Sequence, residues 1–281
     1  MSKQAYFFCE LVRTAPTTSA QAAFEYAARH GVHRTYPDPL IHLSSGAMPD
    51  WVQDRVGGSD YWATADEFAR VGARRVFVIV VALPVALDPD QQIECAKEFA
   101  DAVSRLCDDL YGRLPYTLTI HAGSGRNPHL HLLVSQCLNL GLSLTREQWF
   151  RRYVADHPER GGARKVVVIT QRRWLLALRE TWEDVGNRVL ARFGTGYFLD
   201  RRSNDAQGLD RIPGLRLGPL LSPGHPHPAR GRREQRNREV EEENQRREDE
   251  DAMLQRELKR LSRQALRTME SELRRIWLRH R

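Results

Sequence analysis

The sequence has few cysteines and no long apolar run. Its 281 residues include four cysteines, and no two of them form a Cys-x-x-Cys pair. A secreted disulfide scaffold and a cysteine-based zinc motif are therefore excluded. The longest apolar run, residues 76–87, is shorter than the ~18 residues of a membrane-spanning helix, and the N-terminus leads into a strand-like segment rather than a signal peptide. We expect a cytoplasmic protein with no segment inserted in a membrane.

Neither part of the chain carries a strong charge of one sign. The sequence has 43 Lys and Arg against 36 Asp and Glu, a net charge of +7. The positive surplus is divided between the residues before and after 221, so no basic arm is present. A polyanionic partner such as a nucleic acid would therefore have to bind to local basic patches.

Composition divides the chain into three parts. Residues 1–221 have the mixed composition of a folded domain, residues 222–229 are rich in proline and histidine, which predicts a linker, and residues 230–281 are charge-dense and predict an extended amphipathic helix. Apolar residues of this helix recur at spacings of three and four, which places them on one face. They are Leu254, Leu258, Leu261, Ala265, Met269, Leu273 and Ile276. Two interpretations stay open: a solvated helix that packs on its own domain, or a helix for partner binding or self-association.

Within residues 1–221 the hydrophobic pattern changes repeatedly between the period of a strand and that of a helix. Strands are predicted over 6–12, 76–83, 116–121 and 129–135, and helices over 19–30, 88–111 and 174–193. Ser19 suits the N-cap of the first helix, and Gly31 suits a left-handed position after its end. Turn formers in 122–128 predict an antiparallel hairpin. The fold class is therefore α+β: an antiparallel sheet with flanking helices, followed by the extended C-terminal helix.

Three histidines flank the turn of this hairpin. His129 and His131 are two residues apart on a strand and so point to the same face, and His121 ends the preceding strand, where an antiparallel return would bring it beside His129. Three imidazoles on one face can bind a metal ion and leave positions open for substrate. Imidazole suits several divalent ions, so the ligands alone do not select one. The alternative is a group of sheet-surface histidines without a metal.

Tyr26 lies near the end of the first predicted helix, on a face with the small residues Ala22 and Ala23. A free phenol has a pKa of about 10, so it needs a metal or a base nearby to act as a nucleophile. Most helical tyrosines simply fill a core or a surface. Tyr26 and the histidines become one site only if the fold brings them together, which periodicity does not reveal.

A series of short motifs occurs in order along residues 1–220. They are Ser19–Gly31, Ser44–Pro49, Ala82–Pro84, Leu114–His121, Gly125–His131, Glu147–Tyr153, Gly161–Lys165, Trp174–Leu175, Arg179–Trp182 and Leu217–Pro219. Together they resemble the MobA/MobL family of plasmid mobilisation relaxases, within the HUH endonucleases (His, hydrophobic, His). The Asn-Pro-His-Leu-His element with its upstream Ile-His is among the more specific of these motifs.

The resemblance implies an HUH relaxase-like fold and a metal-dependent DNA-nicking reaction. Tyr26 falls at the position of the nucleophile, and His121, His129 and His131 fall at the ligands of Mg²⁺ or Mn²⁺. The implied reaction is site- and strand-specific nicking of single-stranded DNA, within a supercoiled plasmid, at a transfer origin (oriT). It passes through a 5′-phosphotyrosyl intermediate, so strands can also be rejoined. Implied partners are accessory mobilisation proteins and a coupling protein of type IV secretion, in the bacterial cytoplasm with the plasmid.

A bound DNA strand needs cations for its phosphates and aromatic rings for its bases. The candidates for a basic groove are Arg126, Arg151, Arg152, Arg164 and Lys165. Trp149 and Tyr153 are the candidates for stacking.

The chain departs from the family pattern before Ala82, because Val78 and Val80 stand where the family commonly has acidic residues. Loss of a carboxylate could weaken metal binding or removal of the Tyr26 proton. Two alternatives are a rolling-circle replication initiator, which shares the metal hairpin, and a catalytically silent DNA-binding or regulatory homologue. A metallohydrolase of a small substrate ranks below them, because it would want a carboxylate base and the hairpin offers none.

Overall fold

The computed structural model describes residues 3–12, 18–36, 38–107, 111–123, 127–215 and 228–279, with the side chains of 231–264 in the last range. The chain divides into two compact units, Met1–Arg201 and Arg202–Arg281. The domain boundary near residue 221 stays a prediction. Most of the expected linker, residues 222–227, lies outside the described ranges.

The elements are numbered in chain order. The strands are β1 Lys3–Gln4, β2 Cys9–Val12, β3 Leu40–Gly46, β4 Phe77–Ala82, β5 Tyr116–His121, β6 His129–Val134 and β7 Tyr197–Phe198. The helices are α1 Ala20–Ala27, α2 Ser59–Phe68, α3 Pro89–Ser104, α4 Arg146–Trp149, α5 Arg172–Arg192, α6 Asn204–Gln207 and α7 Pro228–Arg279. Among the described residues, no helix combines the length and the apolar character needed to cross a membrane.

Five strands form one antiparallel sheet in the order β2-β4-β6-β5-β3, while β1 and β7 form a separate short parallel pair. The central strand, β6, pairs with β4 on one side and with β5 on the other. Residues directly opposite each other on paired strands face the same side of the sheet. The predicted fold, an antiparallel sheet with flanking helices and a long C-terminal helix, is confirmed.

One face of the sheet packs against α3 and α5. Its strand residues include Ile79, Leu118 and Leu132, all fully buried. Helix α3 begins at a capping box formed by Asp88 and Gln91, which satisfies N–H groups at its first turn. The two helices meet where the rings of Phe99 and Trp182 lie edge to face, 5.1 Å apart. This face is the larger apolar core.

The other face packs against α1, α2 and α4. Its buried cluster joins Phe24 of α1, Trp62 of α2 and Trp149 of α4 to Leu133 of β6. Ser19 caps α1 as predicted, because its side chain accepts a hydrogen bond from the Ala22 N–H. His129 and His131 lie on this same face, since they alternate with the residues of β6 that enter the larger core.

The boundaries differ from the predictions at several places. Helix α1 ends at Ala27 rather than at residue 30, and Arg29 is the first left-handed residue after it, with φ 55°, before Gly31 with φ 56°. Helix α3 ends at Ser104 rather than at 111, because the chain turns back and the Leu114 N–H donates to the Ser104 carbonyl. Strand β3 and helix α2 were not predicted.

The second unit combines residues 202–215 with α7. Asn244 of α7 clamps Ile212 by accepting from its N–H and donating to its carbonyl, and Asn237 does the same to Leu215. Helix α7 starts at Pro228, two residues before the predicted start, because proline is tolerated in a first helical turn. Leu254, Leu258 and Leu261 of the predicted stripe are exposed. The other four stripe side chains lie outside the described residues.

Candidate metal and nucleophile site

Three histidines meet at one end of the β5–β6 hairpin. His121 ends β5 directly opposite His129, which begins β6, and His131 follows two residues later on the same face. The three ring centroids are 4.8–5.3 Å apart. One nitrogen of each ring lies within 4.8 Å of the corresponding nitrogens of the other two. The expected histidine cluster therefore forms, and the strand register is what forms it.

Backbone carbonyls orient two of these rings. The Nε2 atom of His121 lies 2.7 Å from the Ala27 carbonyl oxygen, and Nδ1 of His129 lies 2.9 Å from the Asn127 carbonyl oxygen. A carbonyl oxygen only accepts, so each of these nitrogens carries the proton and donates. Nδ1 of His121 and Nε2 of His129 therefore carry no proton and keep a lone pair, as a metal ligand requires.

Burial keeps the inner histidines neutral. Desolvation is the main reason that the pKa of His121 falls to about 4, although its bond to the Ala27 carbonyl opposes the fall. Desolvation also lowers the pKa of His131 far below its ordinary value, and the nearby His121, His129 and Arg29 lower it further. Neutral imidazoles at pH 7 suit a divalent cation, because no proton has to be displaced from them. The donor set therefore fits a metal ion.

Tyr26 lies beside this cluster. Its ring is edge to face with that of His131, 5.9 Å between centroids, and it also contacts the rings of His33 and Tyr36. About a third of Tyr26 is exposed to solvent. The fold thus brings a partly exposed phenol and three imidazoles together, although they are more than ninety residues apart in the sequence.

A carboxylate of α2 holds the helix that carries Tyr26. Asp66 accepts from the N–H groups of Ala20 and Gln21 at 2.9 and 3.0 Å, and from the hydroxyl of Ser19 at 2.5 Å. A negative group at a helix N-terminus satisfies free N–H groups and interacts favourably with the helix dipole. Asp66 therefore fixes the start of α1, two turns before Tyr26.

Comparison with known proteins agrees with this geometry. The model of the MobA/MobL family matches residues 1–223. This chain belongs to the MobA/MobL family. Its matched region includes all three histidines, Tyr26 and the whole sheet.

Two curated relatives of this MobA/MobL protein carry names from plasmid transfer. Mobilization protein A of Escherichia coli is 42% identical over 201 residues, which are 72% of this chain and 27% of the relative. A 43 kDa relaxation protein of Salmonella typhimurium is 30% identical over 210 residues, which are 71% of this chain and 54% of the relative. The chain thus spans about a quarter and about half of the lengths of these relatives.

A solved structure shares the fold. It is described as "Molecular Basis of Vancomycin Resistance Transfer in Staphylococcus aureus" and superposes with a TM-score of 0.50 at 21% identity. The match covers 71% of this chain and 99% of the solved one. At this identity the likeness concerns the fold alone.

Two charged residues of the site in this MobA/MobL protein were missed by sequence reasoning. Asp38 accepts from the Gly123 N–H, and its other oxygen lies 3.6 Å from Nε2 of His129 and 4.0 Å from Nδ1 of His121. Arg29 donates to the carbonyls of Tyr26 and Asp38 and reaches Nδ1 of His121 at 3.1 Å. Metal binding through that nitrogen would require the guanidinium to give up its contact.

Local sequence patterns do not identify Asp38 or Arg29 as site residues. Asp38 stands between two prolines, a pattern that predicts a rigid turn and not a ligand. Arg29 owes its position to a left-handed backbone, which is uncommon outside glycine. Val80 lies directly opposite His131, so the hairpin and its neighbour supply no carboxylate there, as expected. The carboxylate beside the histidines comes instead from Asp38, in the segment before β3.

The predicted DNA contacts fall into three groups. Arg126 lies outside the described residues. Trp149 is 1% exposed and donates to the Tyr61 hydroxyl inside the core, so it has no free face for a base and we drop it as a stacking residue. The remaining candidates come together near one pocket: Arg151, Arg152, Tyr153 and Lys165 line it, and the Arg164 guanidinium lies 5.8 Å from the centre of the Tyr153 ring.

Proposed function

We propose that this protein is a DNA relaxase that cuts one strand of DNA at a plasmid transfer origin by transesterification at Tyr26. The observation that carries the proposal is the placement of the Tyr26 ring 5.9 Å from His131 and beside the three-histidine cluster. Membership of the MobA/MobL family supports it. The names of the two curated relatives, a mobilization protein and a relaxation protein, support the same reading.

The proposed reaction exchanges one phosphate ester for another. The Tyr26 oxygen forms a bond to the scissile phosphorus, and the bond from that phosphorus to the 3′ oxygen breaks. The phenol loses a proton and the departing 3′ oxygen gains one, so a 5′-phosphotyrosyl link and a free 3′-hydroxyl result. Because an ester is retained throughout, the step can reverse and rejoin the strand.

Charged residues of the site would stabilise this step. His121, His129 and His131, with Asp38 beside them, would hold a divalent ion such as Mg²⁺ or Mn²⁺, which supplies Lewis-acid polarisation of the scissile phosphate. The Arg29 guanidinium lies 5.1 Å from the centre of the Tyr26 ring, where its charge would favour a nearby phosphate. The Ala27 and Asn127 carbonyls keep two imidazoles in the tautomer that a metal requires.

An adduct assay tests the nucleophile. Single-stranded oligonucleotides from transfer origins are incubated with the protein and Mn²⁺, and protein–DNA adducts are resolved on a denaturing gel. We expect an adduct with Mn²⁺, none with EDTA, and none for Tyr26→Phe. Tyr36→Phe is the matched control, because Tyr36 is a second phenol in contact with Tyr26.

The outcomes separate the competing functions. An adduct that persists in Tyr26→Phe would refute Tyr26 as the nucleophile. DNA binding without an adduct would identify a silent DNA-binding homologue. An adduct formed only with oligonucleotides from a replication origin would identify a rolling-circle initiator. Cleavage of a small substrate without any DNA binding would favour a metallohydrolase.

Titration calorimetry tests the metal site separately. We expect wild-type protein to bind one Mn²⁺ and His129→Ala to lose most of that binding, because one of three imidazole donors is removed. His157→Ala is the control, since His157 is an exposed histidine whose ion-pair partner is Glu159 and not the cluster. Equal Mn²⁺ binding by wild-type protein and His129→Ala would remove the metal from the proposal.

The proposal extends to partners only at the level of the family. Accessory mobilisation proteins, a coupling protein of type IV secretion and a location with the plasmid in the bacterial cytoplasm stay predictions. The exposed leucines of α7, Leu254, Leu258 and Leu261, are the surface we assign to partner binding or self-association. Replacing the three with Gln should leave the Tyr26 adduct unchanged while altering the sedimentation of the protein or its recruitment.

A further inference from the structure

A pocket lined by basic side chains lies away from the histidines. Its volume is about 210 Å³, and its lining consists of Arg70, Phe150, Arg151, Arg152, Tyr153, Ala163 and Lys165. We call it the cation pocket. It has four cationic side chains and an aromatic ring, and no acidic residue is among the described residues that line it.

The cations of this pocket are not used in ion pairs within the protein. Over the described part of the chain, no carboxylate oxygen lies within 4.0 Å of Arg70, Arg151, Arg152 or Lys165. Neighbouring arginines behave differently, because Arg146 pairs with Glu67 and Arg75 pairs with Asp66. The nearby carboxylates thus form their ion pairs with other arginines, although Glu147, which pairs with Arg146, also interacts electrostatically with Arg151. Among the described residues, the four cations converge without an ion-pair partner of their own. Such a site favours an anion with several oxygen acceptors.

Two adjacent glycines build the pocket. The Gly162 N–H donates to the Arg152 carbonyl, and the Ala163 N–H donates to the Trp149 carbonyl, so two backbone segments run side by side. A Cβ atom on Gly162 would lie 2.3 Å from the Arg151 oxygen, a clash with backbone that could not be relieved by moving a side chain. Only glycine allows this approach, which brings Lys165 beside Arg151 and Arg152.

The register of the sheet separates the pocket from the histidines. Lys165 pairs with Cys137, three residues beyond the end of β6, whereas His129 begins that strand. His131 and Cys137 are six residues apart, which at ~3.3 Å per extended residue corresponds to at most about 20 Å along the chain. Phe150 and Ala163 nevertheless belong to the same buried cluster as Phe24 and Ala27 of α1. One layer therefore carries Tyr26 at one end and the cation pocket at the other.

We propose that the cation pocket binds backbone phosphates of single-stranded DNA at nucleotides distant from the one that Tyr26 attacks. This inference rests on the proposed function for the choice of DNA as the polyanion. Arg151, Arg152 and Lys165 contact phosphate oxygens, and Tyr153 offers its ring to an adjacent base. The pocket thus adds affinity for DNA that is not being cut and takes no part in the transesterification.

Binding and chemistry are measured separately to test this. The variant Arg151→Gln/Arg152→Gln/Lys165→Gln removes three charges from the pocket. The control Arg105→Gln/Arg188→Gln/Arg192→Gln removes three charges from α5 and the end of α3, where each arginine is paired with an acidic residue. Fluorescence anisotropy in EDTA gives the affinity for a labelled single-stranded oligonucleotide at several salt concentrations. Circular dichroism and urea denaturation establish that each variant is folded.

We expect the pocket variant to lose at least about tenfold in affinity at ~0.1 M salt. Its plot of log affinity against log salt should be shallower by about 2, since each phosphate contact on a single strand contributes ~0.7 to the slope. The control should keep the wild-type slope. With Mn²⁺ and saturating DNA, the first-order rate of adduct formation by the pocket variant should equal that of wild type. Only the DNA concentration that gives the half-maximal rate should increase.

The inference would be overturned by an unchanged salt slope in the pocket variant, by an equal loss of affinity in the control, or by a slower adduct step at saturating DNA with unchanged affinity. Tighter binding of a duplex than of a single strand would assign the pocket to double-stranded DNA instead and also reject it. Failure of the proposed function is distinguishable, because anisotropy in EDTA does not depend on an adduct. If wild-type protein binds DNA through the cation pocket but forms no covalent adduct, this inference stands and the proposed relaxase function fails.

Discussion

The two faces of the five-stranded sheet have opposite chemistry although the same strands build both. On β6, Leu130, Leu132 and Val134 enter the apolar core under α3 and α5, while His129 and His131 look toward the layer of α1 and α2. A strand alternates sides at every residue, so neighbouring positions can serve stability and chemistry independently. The histidine cluster is therefore formed by one side of the central strand, β6, and not by a segment inserted into the fold.

The histidine face is held by hydrogen bonds as well as by apolar contacts. Trp62 of α2 donates to the Thr117 hydroxyl at 2.7 Å, and that hydroxyl donates to the Gly57 carbonyl at 2.6 Å. The Tyr61 hydroxyl donates to Ser135 at 2.6 Å and accepts from Trp149 at 3.1 Å. A buried polar network that is satisfied in this way selects one geometry. It fixes α2 on the sheet and, through Asp66, the helix that carries Tyr26.

Adjacent substitutions on β6 should separate the two faces most strongly. Leu132→Ala opens a cavity in the α3–α5 core, and we expect a loss of about 2–5 kcal/mol in the free energy of unfolding. His131→Ala should cost much less stability, because it removes a desolvated polar ring, yet it should abolish the adduct. Urea denaturation and the adduct assay measure both. If His131→Ala destabilised the protein as much as Leu132→Ala, the separation of stability from chemistry would fail.

The hydrogen bonds of Tyr61 give the next largest effect. Tyr61→Phe leaves the buried Trp149 N–H without its acceptor, and the Ser135 hydroxyl keeps only the bond from the Cys137 N–H. The expected loss is about 1–3 kcal/mol in the free energy of unfolding. Tyr116→Phe is the control, because no hydrogen bond joins the Tyr116 hydroxyl to any other described residue. Equal stability of the two variants would show that apolar packing alone holds α2.

The difference between the faces also explains which parts could be predicted from the sequence. Strand β4 and helices α3 and α5 follow clear apolar periods, because they cover the apolar face, and their positions were predicted apart from the end of α3. Helix α2 was missed because its buried positions include Tyr61, Trp62 and Thr64, whose polar atoms weaken the hydrophobic pattern. The histidine cluster was predicted because two of its members share one strand. Asp38 and Arg29 could not be, because only tertiary contacts place them beside the histidines.

Removing a helix cap should cost less unfolding free energy than the substitutions above, and only the cap of α1 should affect the adduct step. Helix α3 is capped by its own Asp88, whereas α1 is also capped from a distance by Asp66 of α2. Asp88→Ala and Asp66→Ala should each cost about 1 kcal/mol of unfolding free energy. Asp66→Ala should in addition slow the adduct step, because α1 carries Tyr26, while Asp88→Ala should not. Equal adduct rates in the two variants would show that the Asp66 cap does not position the tyrosine.

The smallest expected effect concerns acid and salt. Partial burial alone would raise the pKa of Asp54, but the N–H groups of Ser59, Gly57 and Val56 outweigh it and hold the pKa at about 2. On the other layer, hydrogen bonds from Arg192 and Arg188 lower the pKa of Glu98. A folded-state pKa below the unfolded value means that both carboxylates stabilise the fold above about pH 4 and lose that contribution as the pH falls.

Salt should separate these two carboxylates. Adding about 0.5 M NaCl should screen the exposed Arg–Glu98 pairs, so the pH-dependent stability that Glu98 contributes should disappear in high salt. The contribution of Asp54 should remain, because it comes from hydrogen bonds with backbone N–H groups. Urea denaturation from pH 6 to pH 2.5 of Asp54→Asn and Glu98→Gln, each at low and high salt, measures both parts. If high salt also abolished the stability contributed by Asp54, long-range charge interactions would explain that contribution, and the backbone N–H groups at the start of α2 would not.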